Sequence, residues 1–571
     1  MSGFYGFYST SPFDYRHNYN RFFSADLPLI QNEEFTFDNF IYGRSVLNKF
    51  TKDRFLHETE DLIIGIEGII YSSEPPQEDI LSSYKTSGLS FIKDLDGNFS
   101  GFIFDKLEKE IHLFTDVLAT RSIYYYSNPD TGAFFFSSEL KVLSSLLHDL
   151  NLACTPDRDG FNCLLSFGYM LEDITLIKEV KRLSQATILT CNLNNGEASQ
   201  KKYFDFNTTE KNISTEDAIN QLDSLATQSI AKEWGKDRSE SQVFLSFISG
   251  GLDARVNLFI AKELGFTDIS VLNFSQTNAP DHQIAKEIAE GESLDYQFFP
   301  LDGGHYFINS FEELVAANDG MVTVSGASHM YQALKSLPLD KFGAIHSGQI
   351  GDVLFGSYTR PTFNMRANIG KLGSVNAPNI LSQISVLPNI IDRYKDSTEL
   401  FSYEQRQVNG TINGDRMCSH LIDLQSPFYN KKLISFCLSL PMEFKLNKKL
   451  YMEWIRLKHP KMFEYRWDSA GIIPRNRILT KVAVEMSRLY KRFSRLIFGK
   501  DPNSMNPFDL WMESNDQFTQ EINKIYYSNL ENVAEPWLKT NASSVFTDFK
   551  SSGKFAAITA VLAYKLHFSK E

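Results

Sequence analysis

At 571 residues and 65.2 kDa the chain has length for more than one domain and ample core; its 42% hydrophobic and 22% charged residues are ordinary globular composition, and a net charge of −13 with pI near 5.5 argues against a general nucleic-acid binder. The five cysteines, Cys154, Cys163, Cys191, Cys418 and Cys437, are odd in number, scattered and without zinc spacing, which argues against a disulfide framework and for a reducing cytoplasm. The start lacks a basic region followed by an apolar run, and no apolar stretch of about 18 residues follows, so the expectation is a soluble cytoplasmic protein with no transmembrane segment.

Residues 1–206 read as short strands separated by turns, a predominantly β pattern. The opening Met1-Ser2-Gly3-Phe4-Tyr5-Gly6 is followed in order by Tyr42-Gly43-Arg44, Glu67-Gly68-Ile69-Ile70-Tyr71, Leu95-Asp96-Gly97-Asn98-Phe99, residues 116–125 and Ser137-Ser138-Glu139-Leu140-Lys141. These segments resemble the glutamine amidotransferases with an N-terminal nucleophile, which begin Met-Cys-Gly, and the resemblance implies an Ntn-hydrolase-like αββα domain over residues 1–206. Two departures bear on its activity. Ser2, the candidate nucleophile, stands where that family has cysteine, and a hydroxyl gives up its proton far less readily than a thiol. Arg44 aligns with the arginine that holds the glutamine carboxylate, but the family's Asn-Gly-Glu loop reads Glu67-Gly68-Ile69. The expectation is a glutaminase domain kept as a scaffold, the alternative being a slow serine amidohydrolase or a site for another ligand. Ser2 could act only after removal of Met1.

Residues 205–214, DFNTTEKNIS, are polar and suit a linker, and Ser214 followed by Asp217 reads as an N-cap before a helix carrying Ile219, Leu222, Leu225 and Ile230. Strands and helices then alternate past residue 350, which implies a parallel sheet between helices. Phe244, Leu245, Phe247 and Ile248 form an apolar run that fits a strand covered on both faces; Ser249-Gly250-Gly251 break it, and from Leu252 the residues Val256, Leu258, Phe259, Ile260 and Leu264 recur at helical spacing. Glycines at a helix N-terminus present amides to an anion, a phosphate cradle. The Gly-Lys-Ser/Thr of a Walker A loop is missing. Asp253 stands there instead, and a carboxylate beside phosphate needs a bridging cation, for which Mg2+ is the expected choice.

A second segment, residues 344–358, AIHSGQIGDVLFGSY, runs from strand-like residues through Ser347-Gly348 and Gly351-Asp352 to an apolar stretch ending at Gly356. Between the two lies VLNFSQTNAPDHQIAKEIA, residues 271–289, a strand, a loop and a helix led by Asp281. Three blocks in this order resemble the asparagine synthetase family within the ATP pyrophosphatase group. The resemblance implies an adenine nucleotide α-hydrolase-like (PP-loop) parallel-sheet domain over residues 215–571 with a helical C-terminal part. It further implies ATP and Mg2+ as cofactors, the metal on Asp253 and Asp352, and pyrophosphate on Ser249, Gly250, Gly251, Leu252 and Asp253. Phe247 and Phe274 would flank the adenine, Asp281 would lie on the adenosine side, and Ser347 and Gly348 would contact the nucleotide. Residues 319–331 align with the acyl-substrate pocket, with His329 and Tyr331 as candidate contacts.

Gln349 replaces a glutamate proposed to handle protons in that family; an amide can orient groups but takes no proton at neutral pH. The family's Arg-x-Lys-x-x-Gly segment reads Arg466-Trp467-Asp468-Ser469-Ala470-Gly471, so Lys448, Lys449 or Arg466 would have to supply the missing charge. Residues 475–500, RNRILTKVAVEMSRLYKRFSRLIFGK, carry eight basic residues against Glu485. One reading is a core-facing helix with a solvated basic face; the other is a dock for a protein or other anionic or acidic partner, a membrane surface or a carrier-linked substrate.

The resemblance implies an ATP-dependent, AMP- and pyrophosphate-forming ligase that adenylates a carboxylate and passes it to an amine. Ser2 points to an amine borne by the small-molecule or peptide substrate, as in β-lactam synthetases and lasso peptide macrocyclases. The alternatives are asparagine synthesis or sugar or antibiotic-precursor amidation with ammonia or glutamine, and a nucleotide-binding regulatory subunit.

Overall fold

The computed structural model describes residues 3–10, 30–71, 76–240, 243–357, 376–395, 398–498 and 504–569. The alternating N-terminal segments form two six-stranded antiparallel sheets. One runs Val180–Arg182, Tyr124–Asn128, Ala133–Ser137, Gly3–Tyr8, Phe40–Leu47, Ile30–Phe37 from edge to edge; the other runs Ala198–Lys202, Thr187–Asn192, Glu110–Thr115, Gly97–Asp105, Leu62–Ile70, Phe55–Glu58. Inward-facing rings hold them together: Phe4, Phe40 and Phe136 from the first sheet meet Phe102 and Phe104 from the second, with Phe102 and Phe136 centred 5.0 Å apart. The outer faces are covered by helices. Ile80 of the helix Pro76–Ser87 packs on Ile64, Ile66 and Ile103, and Leu143 and Leu147 of Leu140–Asp149 pack on the side of Tyr5, Phe7 and Phe135. The layering is αββα.

Past the linker, the Ser214 hydroxyl accepts from the Asp217 amide at 3.1 Å and opens the helix Thr215–Arg238. A five-stranded sheet follows, parallel at every pairing, in the spatial order Asp295–Pro300, Ile269–Ser275, Val243–Phe247, Phe342–His346, Asp423–Gln425. The chain moves outward in one direction from the central strand Val243–Phe247, then returns to pair Phe342–His346 on its other side. The loops after these two neighbouring strands therefore leave the sheet at the point where strand order reverses, which is where open parallel sheets place their ligand crevice.

From residue 376 the described chain is mostly helical, with one addition to the sequence reading: the strand Asp423–Gln425 completes the sheet. Three residues are too few for a periodic signal, and register with Ala344–His346 alone defines them. No helix among the described residues is long and apolar enough to cross a membrane.

Candidate functional site

The two glycine loops are in contact. A Cβ on Gly348 would lie 2.3 Å from the Ala254 amide nitrogen, and one on Gly351 would lie 2.9 Å from the Asp253 side chain, so only glycine lets the second loop close on the first. The helix Asp253–Glu263 begins at this contact. Its first-turn amides lack carbonyl partners within the helix and its dipole is positive there. Asp253 thus faces Asp352 across the junction. Burial raises the Asp253 pKa, Lys448 opposes the rise, and the like charge of Asp352 adds to it. The Tyr451 hydroxyl donates to Asp253 Oδ1 at 2.8 Å. Lys448 and its predecessor Asn447 both have left-handed backbones, φ 56° and 54°, a strained pair that marks this turn as constrained.

Several side chains hold the first loop rather than face a ligand. Asp281 Oδ1 accepts from the Gly250 amide at 2.8 Å and Oδ2 from Asn273 Nδ2 at 2.9 Å. Asp281 thus supports the loop from the side where contact with adenosine is expected. Ser249 Oγ accepts from the Gly251 amide at 3.2 Å, while Leu252 is buried beneath the turn. Arg255, wholly buried, donates to the carbonyls of Gly250, Met462 and Arg466 at 3.2, 3.0 and 2.8 Å; burial lowers its pKa to about 10. Sequence reading missed it because one arginine on an apolar helix carries no local signal. Asp468, at the position of the absent lysine, donates its amide to the Gly250 carbonyl at 3.1 Å, so an acid occupies that edge of the loop.

Other sequence candidates lie elsewhere. Arg466 Nε pairs with Glu287 at 2.8 Å on the helix Pro280–Gly291. Lys449 is exposed, its ammonium 5.8 Å from the Phe444 ring centre. It is Lys448 whose charge acts on Asp253. Tyr331 donates to Glu313 at 2.8 Å and is turned to that pair instead of the loops. Phe247 and Phe274 touch edge to face, 5.1 Å apart at 87°, so they make one wall rather than two sides of an adenine slot. His329 lies tilted against Phe274, ring centres 5.1 Å apart at 55°; burial lowers its pKa to about 4 and its Nδ1 has no protein partner among the described residues.

On the second loop the Gln425 carbonyl accepts from both the Ser347 amide, 2.9 Å, and hydroxyl, 3.0 Å. Gln349 Nε2 donates to Asp415 Oδ2 at 2.6 Å. Asp415 is buried, and burial raises its pKa to about 7, with the Gln349 hydrogen bond opposing the rise. Both residues line a cavity of about 220 Å³ with Tyr169, Thr323 and Arg406. Asp415 is the second residue the sequence reading missed: it lies 66 positions from Gln349, and only the chain's return past an 11-residue π-helix, Ser402–Ile412, brings them together.

In the N-terminal domain Ser2 lies outside the described residues. Arg44 is committed to Glu33 at 2.7 Å and to the Arg54 carbonyl at 3.0 Å. Glu67 is buried against Arg54 at 3.0 Å. The cleft bounded by Gly3, Arg44, Phe55 and Glu67 has no room for a water molecule.

An antiparallel double sheet joined to a parallel sheet with glycine loops and paired acids at its switch point defines the class: an amidotransferase-type fold on a nucleotide α-hydrolase-type domain. Family models agree, a glutamine amidotransferase domain matching residues 63–204 and asparagine synthase matching residues 236–456. The chain belongs to the asparagine synthetase superfamily. It is similar to a protein of Methanocaldococcus jannaschii named as a glutamine-hydrolysing asparagine synthetase, 26% identical over 42% of this chain and 44% of that one. A similarly named protein of Acanthamoeba polyphaga mimivirus is 23% identical over 63% of this chain and 59% of its own length. The chain thus spans about half the length of the curated relatives it matches. Among solved structures, the glutamine phosphoribosylpyrophosphate amidotransferase of B. subtilis complexed with ADP and GMP aligns with 48% of this chain and 67% of its own at 9% identity and TM-score 0.22, a likeness too slight to carry an argument.

Proposed function

We propose that the protein is an ATP-dependent ligase that adenylates a substrate carboxylate, releases pyrophosphate and joins the acyl group to an amine carried by a substrate. The observation that carries this reading is the closure of Gly348 and Gly351 onto Asp253 and Ala254, which brings two acids from separate loops to one helix N-terminus. Two facing carboxylates, with the Asp253 pKa raised by burial and further by the charge of Asp352, are a donor set that suits Mg2+. Among the described residues no group of three or more His, Cys, Asp or Glu side chains gathers at metal distance, and Mg2+ commonly takes the rest of its shell from phosphates and water. Held by Asp253 and Asp352, it would neutralise charge on the pyrophosphate leaving group. The first-turn amides and Lys448 would bind phosphate oxygens, and Ser249, Asp281 and Arg255 would keep the loop in shape.

Amide formation needs a group that accepts the amine's proton. Gln349 cannot do so, but Asp415 behind it titrates near neutrality beside the small cavity, the range in which a general base works best at physiological pH. The amine is assigned to a substrate, not to glutamine, because Arg44 and Glu67 are committed to ion pairs and the cleft beside them is closed. The test is release of AMP and pyrophosphate from ATP with panels of carboxylates and amines, comparing wild type with Asp253→Asn. Carboxylate-dependent release that falls about 100-fold or more in the variant is expected. ATP binding without turnover across the panel would instead favour a nucleotide-binding regulatory subunit.

A further inference from the structure

The basic segment folds as the helix Arg477–Phe498, and its orientation reverses the core-facing reading of the sequence. The side against the body carries mostly small or polar residues: Thr480 and Ser494 are buried, Ser487 is half-buried, and Ala483 and Val484 are half-buried against the core. The large apolar side chains point to solvent. Val482, Met486 and Phe493 form the centre of the outward face, with Ile478 and Leu489 to one side and Leu479 and Tyr490 to the other, all exposed; Ile478 is 76% and Tyr490 63% exposed. At ~100° per residue these seven fall within about 120° of the helix circumference, a continuous stripe about 24 Å long. A stripe of this kind costs solubility unless something covers it.

What covers it is indicated by its edge. Lys481, Arg488 and Arg492 follow one another along one flank and are exposed, and neither Lys481 nor Arg492 has a carboxylate partner among the described residues, whereas Arg488 pairs with Glu485 at 2.6 Å. This cationic edge stands out on a chain of net charge −13. A second copy laid antiparallel on the stripe would bring one basic flank close to another, and a parallel copy would leave both flanks without an anionic partner. An anionic lipid surface meets both demands, acyl chains for the stripe and phosphate for the flank, with Tyr490 suited to the boundary between them.

We infer that the helix Arg477–Phe498 docks the protein peripherally on a membrane surface rich in anionic lipid, its apolar stripe entering the boundary between headgroups and acyl chains. The inference is independent of the reading of the nucleotide site. The helix also borders a cavity of about 800 Å³ whose other walls include Lys448, Lys449 and Trp467, so docking would place the lipid surface beside that cavity.

The test is cosedimentation of the full-length protein with vesicles of phosphatidylcholine alone and with phosphatidylglycerol added, for wild type, Leu489→Asp with Phe493→Asp, and Lys481→Glu with Arg492→Glu. Each protein's thermal melt is recorded to show that it is folded. Wild type is expected to bind the anionic vesicles at least tenfold more tightly than the neutral ones, less so in high salt, and each double variant to lose at least tenfold with its melt retained. Wild type remaining in the supernatant with both vesicles, binding unchanged in the folded variants, or a concentration-dependent dimer abolished by Phe493→Asp in place of vesicle binding would each overturn the inference; the last would assign the stripe to a second copy.

Discussion

Arg54 of the N-terminal domain donates from Nη2 to Asp423 Oδ2 on the edge strand of the parallel sheet at 2.5 Å, with both side chains fully buried. Arg121 reaches the other oxygen of Asp423, and Arg54 Nε holds Glu67 at 3.0 Å. Two residues further along the same strand, Gln425 Oε1 accepts from Asn98 Nδ2 at 2.7 Å, and the carbonyl of that same Gln425 holds Ser347. The N-terminal domain is thus one residue away from the second glycine loop. A buried charge stripped of its partner is costly. Arg54→Met, which leaves Glu67 without its partner and Asp423 with Arg121 alone, should therefore lower stability by about 3–5 kcal/mol in denaturant melts. A change below 1 kcal/mol would mean that the domains do not depend on this junction.

Contact between the loops makes Gly348 a sensitive position. Gly348→Ala places a methyl 2.3 Å from the Ala254 nitrogen, displaces one loop from the other, and should reduce pyrophosphate release about 100-fold, as misplacement of about 1 Å commonly does. Gly235→Ala is the control: its Cβ would meet nothing within 4 Å on the helix Thr215–Arg238, and the exchange should be neutral or stabilise by up to about 1 kcal/mol.

Ser2→Cys supplies the thiol that glutamine hydrolysis uses in related enzymes. With Arg44 paired to Glu33 and the adjoining cleft closed, no glutaminase activity should appear, as measured by glutamate release from glutamine. Ser2→Ala should leave pyrophosphate release unchanged. Glutamate released by the cysteine variant would show that the cleft opens in solution.

Asp415 has a pH signature of known sign. Its folded-state pKa of about 7 lies above that of an unfolded aspartate, so the folded protein keeps a proton that the unfolded chain has lost. The carboxyl's contribution is fully present below about pH 4 and is lost as pH rises toward 7, at ~1.4 kcal/mol per pH unit. Asp415→Asn keeps an oxygen for Gln349 and avoids ionisation. It should therefore melt above wild type at pH 8, with the two curves converging as pH falls toward 4. Amide formation should drop in the same variant while pyrophosphate release persists, and equal loss of both would place Asp415 outside the acyl-transfer step.

Much of the architecture was legible because it rests on local signals. The apolar run at Phe244–Ile248, the Ser249-Gly250-Gly251 break and the helical spacing after Leu252 each follow from backbone preferences of neighbouring residues, and strand and helix lie where those signals place them. The roles of Asp281, Arg466 and Tyr331 were not legible. Motif position brings a side chain to a neighbourhood, but its partner is chosen by elements that arrive later: Gly250 for Asp281, Glu287 for Arg466, Glu313 for Tyr331.

The chain's order of apolar runs, glycine turns and single acids determined, without tertiary information, that two kinds of sheet would form and that two acid-bearing loops would follow strands of the second. Which side chains meet was decided only in the folded molecule. Asp415 reaches Gln349 across 66 residues, and Arg54 reaches Asp423 across 369. The outward turn of Ile478 to Phe493 was decided in the same way, because an amphipathic pattern specifies that a helix has two faces and packing against the body specifies which one it hides.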